Sequence, residues 1–552
     1  MTITMNSTNP TNTREQTANA NARGRAGLVT SPHALASEAG RDVLARGGNA
    51  IEAAIAMAAA LCVTMPHFTG LGGDGFWLIA APGQPVESIS GIGQAARDLP
   101  AFDGAIPVRG PASALTSAAT VAAWEAAYRT SREHWGGKLA WETLLAPAIA
   151  LADDGFALSR SQHFWSMFRA DEYDDDQVWR GFAQTFLPGG AIPAIGATFR
   201  QPALAATLRT LAANGPRDFY EGALAQRIAR GLREAGSPLS ADDLAATRVR
   251  SAPPLTLRYG DGVLATLPPP TQGVTTLQIM GILAKLGMHD CAHGSADYYH
   301  RLVEAVKQAF IDRDRHLADP DWHDVPVDTL LGDAHLAACA ARIEPEHALS
   351  WPQRFREGDT VYLAATDAQG HAVSVLQTIF HDWGSGVMAG DTGILWHNRG
   401  AAFRASGGGL HPNAHPNTIA PGKRPFHTLN PGMYLVDGRA RLLYGTQGAD
   451  GQPQTLAALL TRLIDYGMDP LTALAQPRFL LGRTFSDSRD NLKLESHAGH
   501  AISGTLAAWG HEIADLPPLS PLAGQAGVIR LDADGTACGA HDPRSDGLAL
   551  AV

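Results

Sequence analysis

Residues 350–359 carry proline, glycine and charge with no apolar period, which reads as exposed loop. They run directly into Thr360-Val361-Tyr362-Leu363-Ala364-Ala365, which has the composition of a β-strand. The first side chain of that strand is a hydroxyl nucleophile. Cleavage of the backbone between Asp359 and Thr360 would set a free α-amino group beside this hydroxyl. With a pKa of ~7.7–8.0, such an amine is a competent general base at neutral pH. The spacing makes the Asp359-Thr360 bond a candidate cut and Thr360 a candidate nucleophile. A plainer reading stands beside it, since threonine is common at the start of a strand for its β-propensity alone.

Other motifs carry less. Gly70-Leu71-Gly72-Gly73-Asp74-Gly75 matches GxGxxG, but a dinucleotide site needs a strand before the glycines and a helix after them. Here a helical run precedes and the strand Phe76-Trp77-Leu78-Ile79 follows, so a glycine-rich turn near an active site fits better. The runs His289-Asp290-Cys291-Ala292-His293 and His411-Pro412-Asn413-Ala414-His415 lack a partner pair at metal-ligand spacing and read as solvated loops. No GxSxG elbow supports a serine hydrolase.

The chain that must position Thr360 has 552 residues, 45% hydrophobic and 18% charged, long enough for a large core. Its net charge of −11, with no block of like charge, argues against phosphate-driven nucleic-acid binding. Four scattered cysteines give neither a disulfide framework nor a CxxC zinc site, which fits a reducing compartment. Residues 1–26 are rich in Thr, Asn and Ala, lack an apolar signal core and read as a disordered tail, so a cytoplasmic location is expected. The most apolar stretch, 53–65, is far shorter than the ~20 residues of a spanning helix and reads as a buried core helix.

Residues 28–30 form a predicted strand, followed by one helix through Arg46 and a second capped by Asn49. Helical periodicity recurs over 113–128, 141–153, 203–213, 224–235 and 303–311. Beyond Thr360, a turn at 367–370 joins the first strand to a second over 372–378, making a β-hairpin. Strands near 433–436 and 441–444 and a helix over 455–466 follow.

Several long motifs in order resemble the γ-glutamyltransferase family over nearly the whole chain after residue 27. They include Ser31-Pro32-His33-Ala34-Leu35-Ala36-Ser37, Gly47-Gly48-Asn49-Ala50-Ile51-Glu52-Ala53-Ala54, Leu71-Gly72-Gly73-Asp74-Gly75 and Pro268-Pro269-Pro270. Later come Ala389-Gly390-Asp391-Thr392-Gly393, Pro416-Asn417-Thr418-Ile419-Ala420-Pro421-Gly422-Lys423-Arg424-Pro425, and Asp465-Tyr466-Gly467 with Pro477-Arg478-Phe479. The resemblance implies an α+β, four-layer αββα sandwich of the N-terminal nucleophile hydrolases, made as a zymogen that cleaves itself. Carried over by position, Thr360 is the nucleophile and Thr378 the threonine that hydrogen-bonds it. Gly448 and Ala449 fall where the family uses two backbone N–H groups as an oxyanion hole. The change from glycine to alanine keeps the donor. The cut implies a large chain of 27–359 and a small chain of 360–552, intertwined in one domain.

The departures fall on the substrate head. The family's arginine for the substrate α-carboxylate is replaced within Gly91-Ile92-Gly93-Gln94, and its acid for the α-amino group by Ala402. Arg399 and Phe380 stand for a glutamine and an asparagine, and His427-Thr428 for a serine pair. Asn398-Arg399-Gly400, Gly273 after Thr271-Gln272, and Asp450-Gly451-Gln452-Pro453-Gln454-Thr455 are similar to the γ-glutamyltransferase-like branch that includes oxamate amidohydrolase. The resemblance therefore implies hydrolysis of a small carboxylate-bearing amide through an acyl-enzyme. Arg399, His427, Thr428 and Phe380 would lie at the substrate, unless Arg399 is merely a surface arginine. Neither metal nor organic cofactor is implied, and no nucleic-acid or membrane partner. The two chains of one precursor associate, and a homodimer of such pairs is allowed. A genuine γ-glutamyltransferase acting on glutathione and a non-catalytic binding protein on the same scaffold are the alternatives.

Overall fold

Every residue of Asp359–Asp367 and Ala372–Phe380 is buried, so the continuous apolar run after Thr360 belongs to a strand covered on both faces. In the computed structural model, which describes residues 20–102, 104–175, 178–179, 181–351, 358–405, 415–483 and 489–552, the two strands form the predicted hairpin at the centre of a seven-stranded sheet. From one edge to the other the order is Leu548–Ala551, Gly27–Ser31, Asp359–Asp367, Ala372–Phe380, Asp74–Ala80, Glu87–Gly91 and Arg250–Ala252. A second seven-stranded sheet runs Ala22–Gly24, Ala537–His541, Ala526–Leu531, Arg439–Thr446, Gly432–Val436, Gly262–Thr266 and Leu255–Tyr259. Neighbouring strands within both sheets are antiparallel.

The inner faces meet through Phe76, Leu78, Tyr362, Leu376, Met433 and Leu443 among others. The contact is close enough to fix a residue type. A Cβ on Gly445 would lie 2.2 Å from the Tyr362 ring, so only glycine lets the ring pass. Helices cover the outer faces. Ala34–Ala45, Ala50–Thr64 and Thr120–His134 pack on the nucleophile sheet. Gly273–Leu286, Ala296–His316 and Gln452–Leu460 pack on the other. This is the expected αββα sandwich.

Ala50–Thr64 is wholly buried, as its apolar run requires, and Asn49 and Glu52 close a capping box at its start. Among the described residues, no helix is long and apolar enough to cross a membrane.

Three expectations are corrected. Ala22–Gly24, assigned to a disordered tail, is an edge strand on Ala537–His541, and Asn21 bonds Asp469; residues 1–19 lie outside the described residues. The helix expected over 113–128 begins at Thr120, because Ser113 turns back to the Gly110 carbonyl and Ser237 holds the Ala114 carbonyl. Asp359, expected at the end of an exposed loop, is 3% exposed and already part of the strand, whereas 352–357 lie outside the described residues.

Candidate active site

The hairpin register shifts between Asp359 and Val361, so Asp359 pairs with Phe380 while Val361 pairs with Gln377. This bulge leaves Thr360 out of step with the ladder. Its hydroxyl donates to the carbonyl oxygen of Asp359 at 2.6 Å, and the Gln452 amide approaches the same hydroxyl at 3.4 Å. The Thr378 hydroxyl donates to that carbonyl oxygen at 2.5 Å and accepts the Phe380 N–H at 2.7 Å. Thr378 was expected to bond the Thr360 hydroxyl. In the uncleaved chain it bonds the carbonyl that the hydroxyl faces, because the Asp359 carbonyl lies between them. Gly73 makes room for this corner, since a Cβ there would come within 2.1 Å of the Thr378 carbonyl oxygen.

Gly448 and Ala449 follow the strand Arg439–Thr446 and both have positive φ, +119° and +43°. Left-handed backbone is costly for alanine, roughly 1–2 kcal/mol, so the turn must be held from outside. Gln272 does this with one amide group, whose nitrogen donates to the carbonyls of Ala449 and Thr428, each at 2.7 Å. Arg313 reaches the Gln272 side-chain oxygen at 3.3 Å and Asp450 at 2.9 Å. Consecutive N–H groups in such a turn form a concavity suited to negative charge. Gly358 lies against the same turn, with its Cβ position 2.9 Å from the Ala449 methyl and 3.1 Å from the Phe380 ring.

Arg399 is fully buried, which removes the surface reading, and its guanidinium lies 3.7 Å from the centre of the Phe380 ring. Such a cation over a desolvated ring is stabilised by ~2 kcal/mol. Phe380 accommodates it with φ of +80°. Next to it, His427 has both ring nitrogens engaged within the protein. Nδ1 accepts the Leu429 N–H at 3.3 Å, so Nε2 carries the hydrogen that points to Asp74 at 3.2 Å. Burial pushes His427 down to about 3, with the Arg399 charge adding to the effect, so the ring is neutral at neutral pH. Burial alone would raise Asp74, but His397 and His427 beside it hold its carboxyl well below the usual range. His427, expected at the substrate, thus turns both ring nitrogens to groups within the protein, and the Thr428 carbonyl accepts from Gln272. His381 is also pushed down to about 3 by burial, then by Arg109, although Asp382 opposes this. Neutral histidines flank the Arg399 cation.

Sequence reasoning missed Asp74, Gln272 and Arg313 as individual actors. Only the Gly-Gly-Asp-Gly and Thr271-Gln272-Gly273 motifs signalled that those segments mattered.

The profile of the gamma-glutamyltranspeptidase family matches residues 36–552. The chain belongs to the gamma-glutamyltranspeptidase family. It is 45% identical to an oxamate amidohydrolase proenzyme of Klebsiella pneumoniae, over 95% of this chain and 98% of that protein. It is 39% identical to a glutathione hydrolase-like proenzyme of Bacillus subtilis, over 95% and 98% of the two chains. Its fold matches the crystal structure of a cephalosporin acylase from Bacillus halodurans with a TM-score of 0.88 at 30% identity, covering 96% of this chain and 97% of that one. Within the gamma-glutamyltranspeptidase family the chain is an N-terminal nucleophile amidohydrolase, as the ordered motifs implied.

Proposed function

We propose that this member of the gamma-glutamyltranspeptidase family is a self-processing threonine amidohydrolase that acts on a small amide bearing a carboxylate, of the oxamate kind. The observation that carries the reading is the convergence of the Thr360 and Thr378 hydroxyls on the Asp359 carbonyl, at 2.6 and 2.5 Å. Thr360 Oγ attacks the Asp359 carbonyl carbon, with Thr378 polarising the oxygen. The C–N bond breaks, the nitrogen keeps the electron pair and takes the hydroxyl proton, and Asp359 is left as an ester on Thr360. Water hydrolyses the ester, leaving the Asp359 carboxylate on a large chain ending at 359 and a free Thr360 hydroxyl and amine on a small chain of 193 residues.

The same atoms then serve substrate. With Gly358 withdrawn, the space between Phe380 and Ala449 takes the acyl group. Thr360 Oγ adds to the amide carbonyl, its amine receiving the proton and passing it to the departing ammonia. The Gly448 and Ala449 N–H groups hold the oxyanion, a contribution of ~2.7–4 kcal/mol per donor. Water, activated by the amine, releases the acid. Arg399 meets the substrate carboxylate, and Ile92 and Ala402 offer nothing to an α-amino acid head, in keeping with 45% identity to an oxamate amidohydrolase proenzyme. The intact Thr360 and Thr378 speak against a non-catalytic binding protein. The four cysteines are free and buried, which suits a reducing compartment, and the reading places the enzyme in the cytoplasm.

Purified enzyme tests the substrate class. Ammonia release from oxamate is expected to exceed glutamate release from glutathione by a wide margin, because unpaired substrate charges cost several kcal/mol in a closed pocket. Efficient γ-glutamyl transfer to dipeptides would restore the γ-glutamyltransferase alternative.

A further inference from the structure

On the outer helical layer of the second sheet, three metal-binding side chains meet away from the candidate active site. His335 and Cys339 are four residues apart on the helix Asp333–Ala340, so they share one of its faces. Asp312 comes from the facing helix Ala296–His316. Asp312 Oδ2 is 2.7 Å from His335 Nε2, and Cys339 Sγ is 3.6 Å from the same nitrogen. All three ligand atoms lie within 4.8 Å of one another. The Gln278 amide nitrogen reaches Asp312 Oδ2 at 2.6 Å and His335 Nε2 at 3.3 Å. It thus occupies the point on which the donors converge. Cys339 and Asp312 are buried, while the His335 side chain is 26% exposed and gives an ion a way in.

We propose that Asp312, His335 and Cys339 bind a zinc-class divalent ion, with the Gln278 side-chain oxygen, after rotation of its amide, or a water as fourth ligand. A thiolate, an imidazole and a carboxylate are the donors zinc takes in four-coordinate sites, whereas calcium and magnesium require oxygen throughout. A neighbouring triad, His300, Glu304 and His511, shows what a filled position looks like. There the Lys307 ammonium sits 2.7 Å from Glu304, and His300 is bonded on both nitrogens. Among the described residues, no lysine or arginine pairs with Asp312, whose ion-pair partner is His335 itself. As the sulfur–metal bond forms, the S–H bond breaks and the proton passes to solvent. The ion would pin Asp333–Ala340 to Ala296–His316, the helix whose Arg313 holds Asp450 beside the left-handed turn.

Full-length enzyme freed of metal by chelation is titrated with zinc chloride and, separately, cobalt chloride. One ion per chain is expected, with proton release on zinc binding and thiolate-to-cobalt charge-transfer absorption. Cys339→Ser should remove that absorption, and both Cys339→Ser and His335→Ala should weaken zinc binding by at least roughly 100-fold, since even a group behind a ligand is worth 10–100-fold. His335 is the more exposed of the three ligands, so its variant carries the test if Cys339→Ser folds poorly. Absence of zinc binding by the wild type, or unchanged affinity in His335→Ala, overturns the proposal.

Discussion

The Thr378 hydroxyl donates to the Asp359 carbonyl oxygen while its own oxygen accepts the Phe380 N–H, so one side chain links the candidate cut to the residue that carries Arg399. With the amide hydrogen fixing the oxygen, the hydroxyl hydrogen has a defined direction, toward the carbonyl. Thr378→Ala is therefore expected to slow conversion of precursor to two chains by roughly 10²–10³, the effect of losing one oxyanion donor. Thr378→Ser should recover much of the rate. A time course of fresh precursor on a denaturing gel reads this directly, and wild-type conversion in Thr378→Ala would remove Thr378 from the account.

Arg399→Ala is expected to lower kcat/KM for a carboxylate-bearing amide by roughly 10- to 150-fold, from the ~1.5–3 kcal/mol of a charge-assisted hydrogen bond. Chain cleavage should proceed, because the Asp359 carbonyl makes no use of that cation. Arg399→Lys should restore part of the loss, an ammonium lacking the planar fork. Unchanged turnover in Arg399→Ala would place the carboxylate elsewhere, with Arg404 and Arg424 the next residues to test.

Burial holds His67, His381 and His427 near 3, far below an unfolded histidine at ~6.5. Between those values the unfolded chain binds protons that the folded chain refuses, so stability must fall as the pH falls. Each such ring contributes up to about 1.4 kcal/mol per pH unit across that window, and nothing above it. The unfolding temperature is expected to be level above about pH 7 and to drop on going from about pH 6.5 to about pH 5. A level profile through that range would mean that these rings are protonated in the fold.

The hairpin around Thr360 was legible because two strand-forming runs and a turn at 367–370 are local signals, whereas the register shift between Asp359 and Val361 was not. The environment of Arg399 was not. His427 and Asp74 are 353 residues apart, and nothing local tells a histidine that its partner is a carboxylate on another strand. Gln272 and Arg313 act on a backbone turn more than 130 residues away, which only the folded layers bring to them. The strand Ala22–Gly24 was invisible for a related reason, since its composition is that of a tail and its order comes from pairing with Ala537–His541. In Asp312, His335 and Cys339 the half-signal was the i, i+4 spacing of the last two. Their third partner lies on another helix.

The identity of the nucleophile is tested most directly by the intact masses of wild-type and Thr360→Ala protein, read beside their amidase activity. Two wild-type chains meeting between Asp359 and Thr360 are expected, the smaller of 193 residues with an amino-terminal threonine. Thr360→Ala should give one uncut, inactive chain. A wild-type protein that hydrolyses amides as a single full-length chain, or a Thr360→Ala protein that is both cut and active, would contradict the assignment.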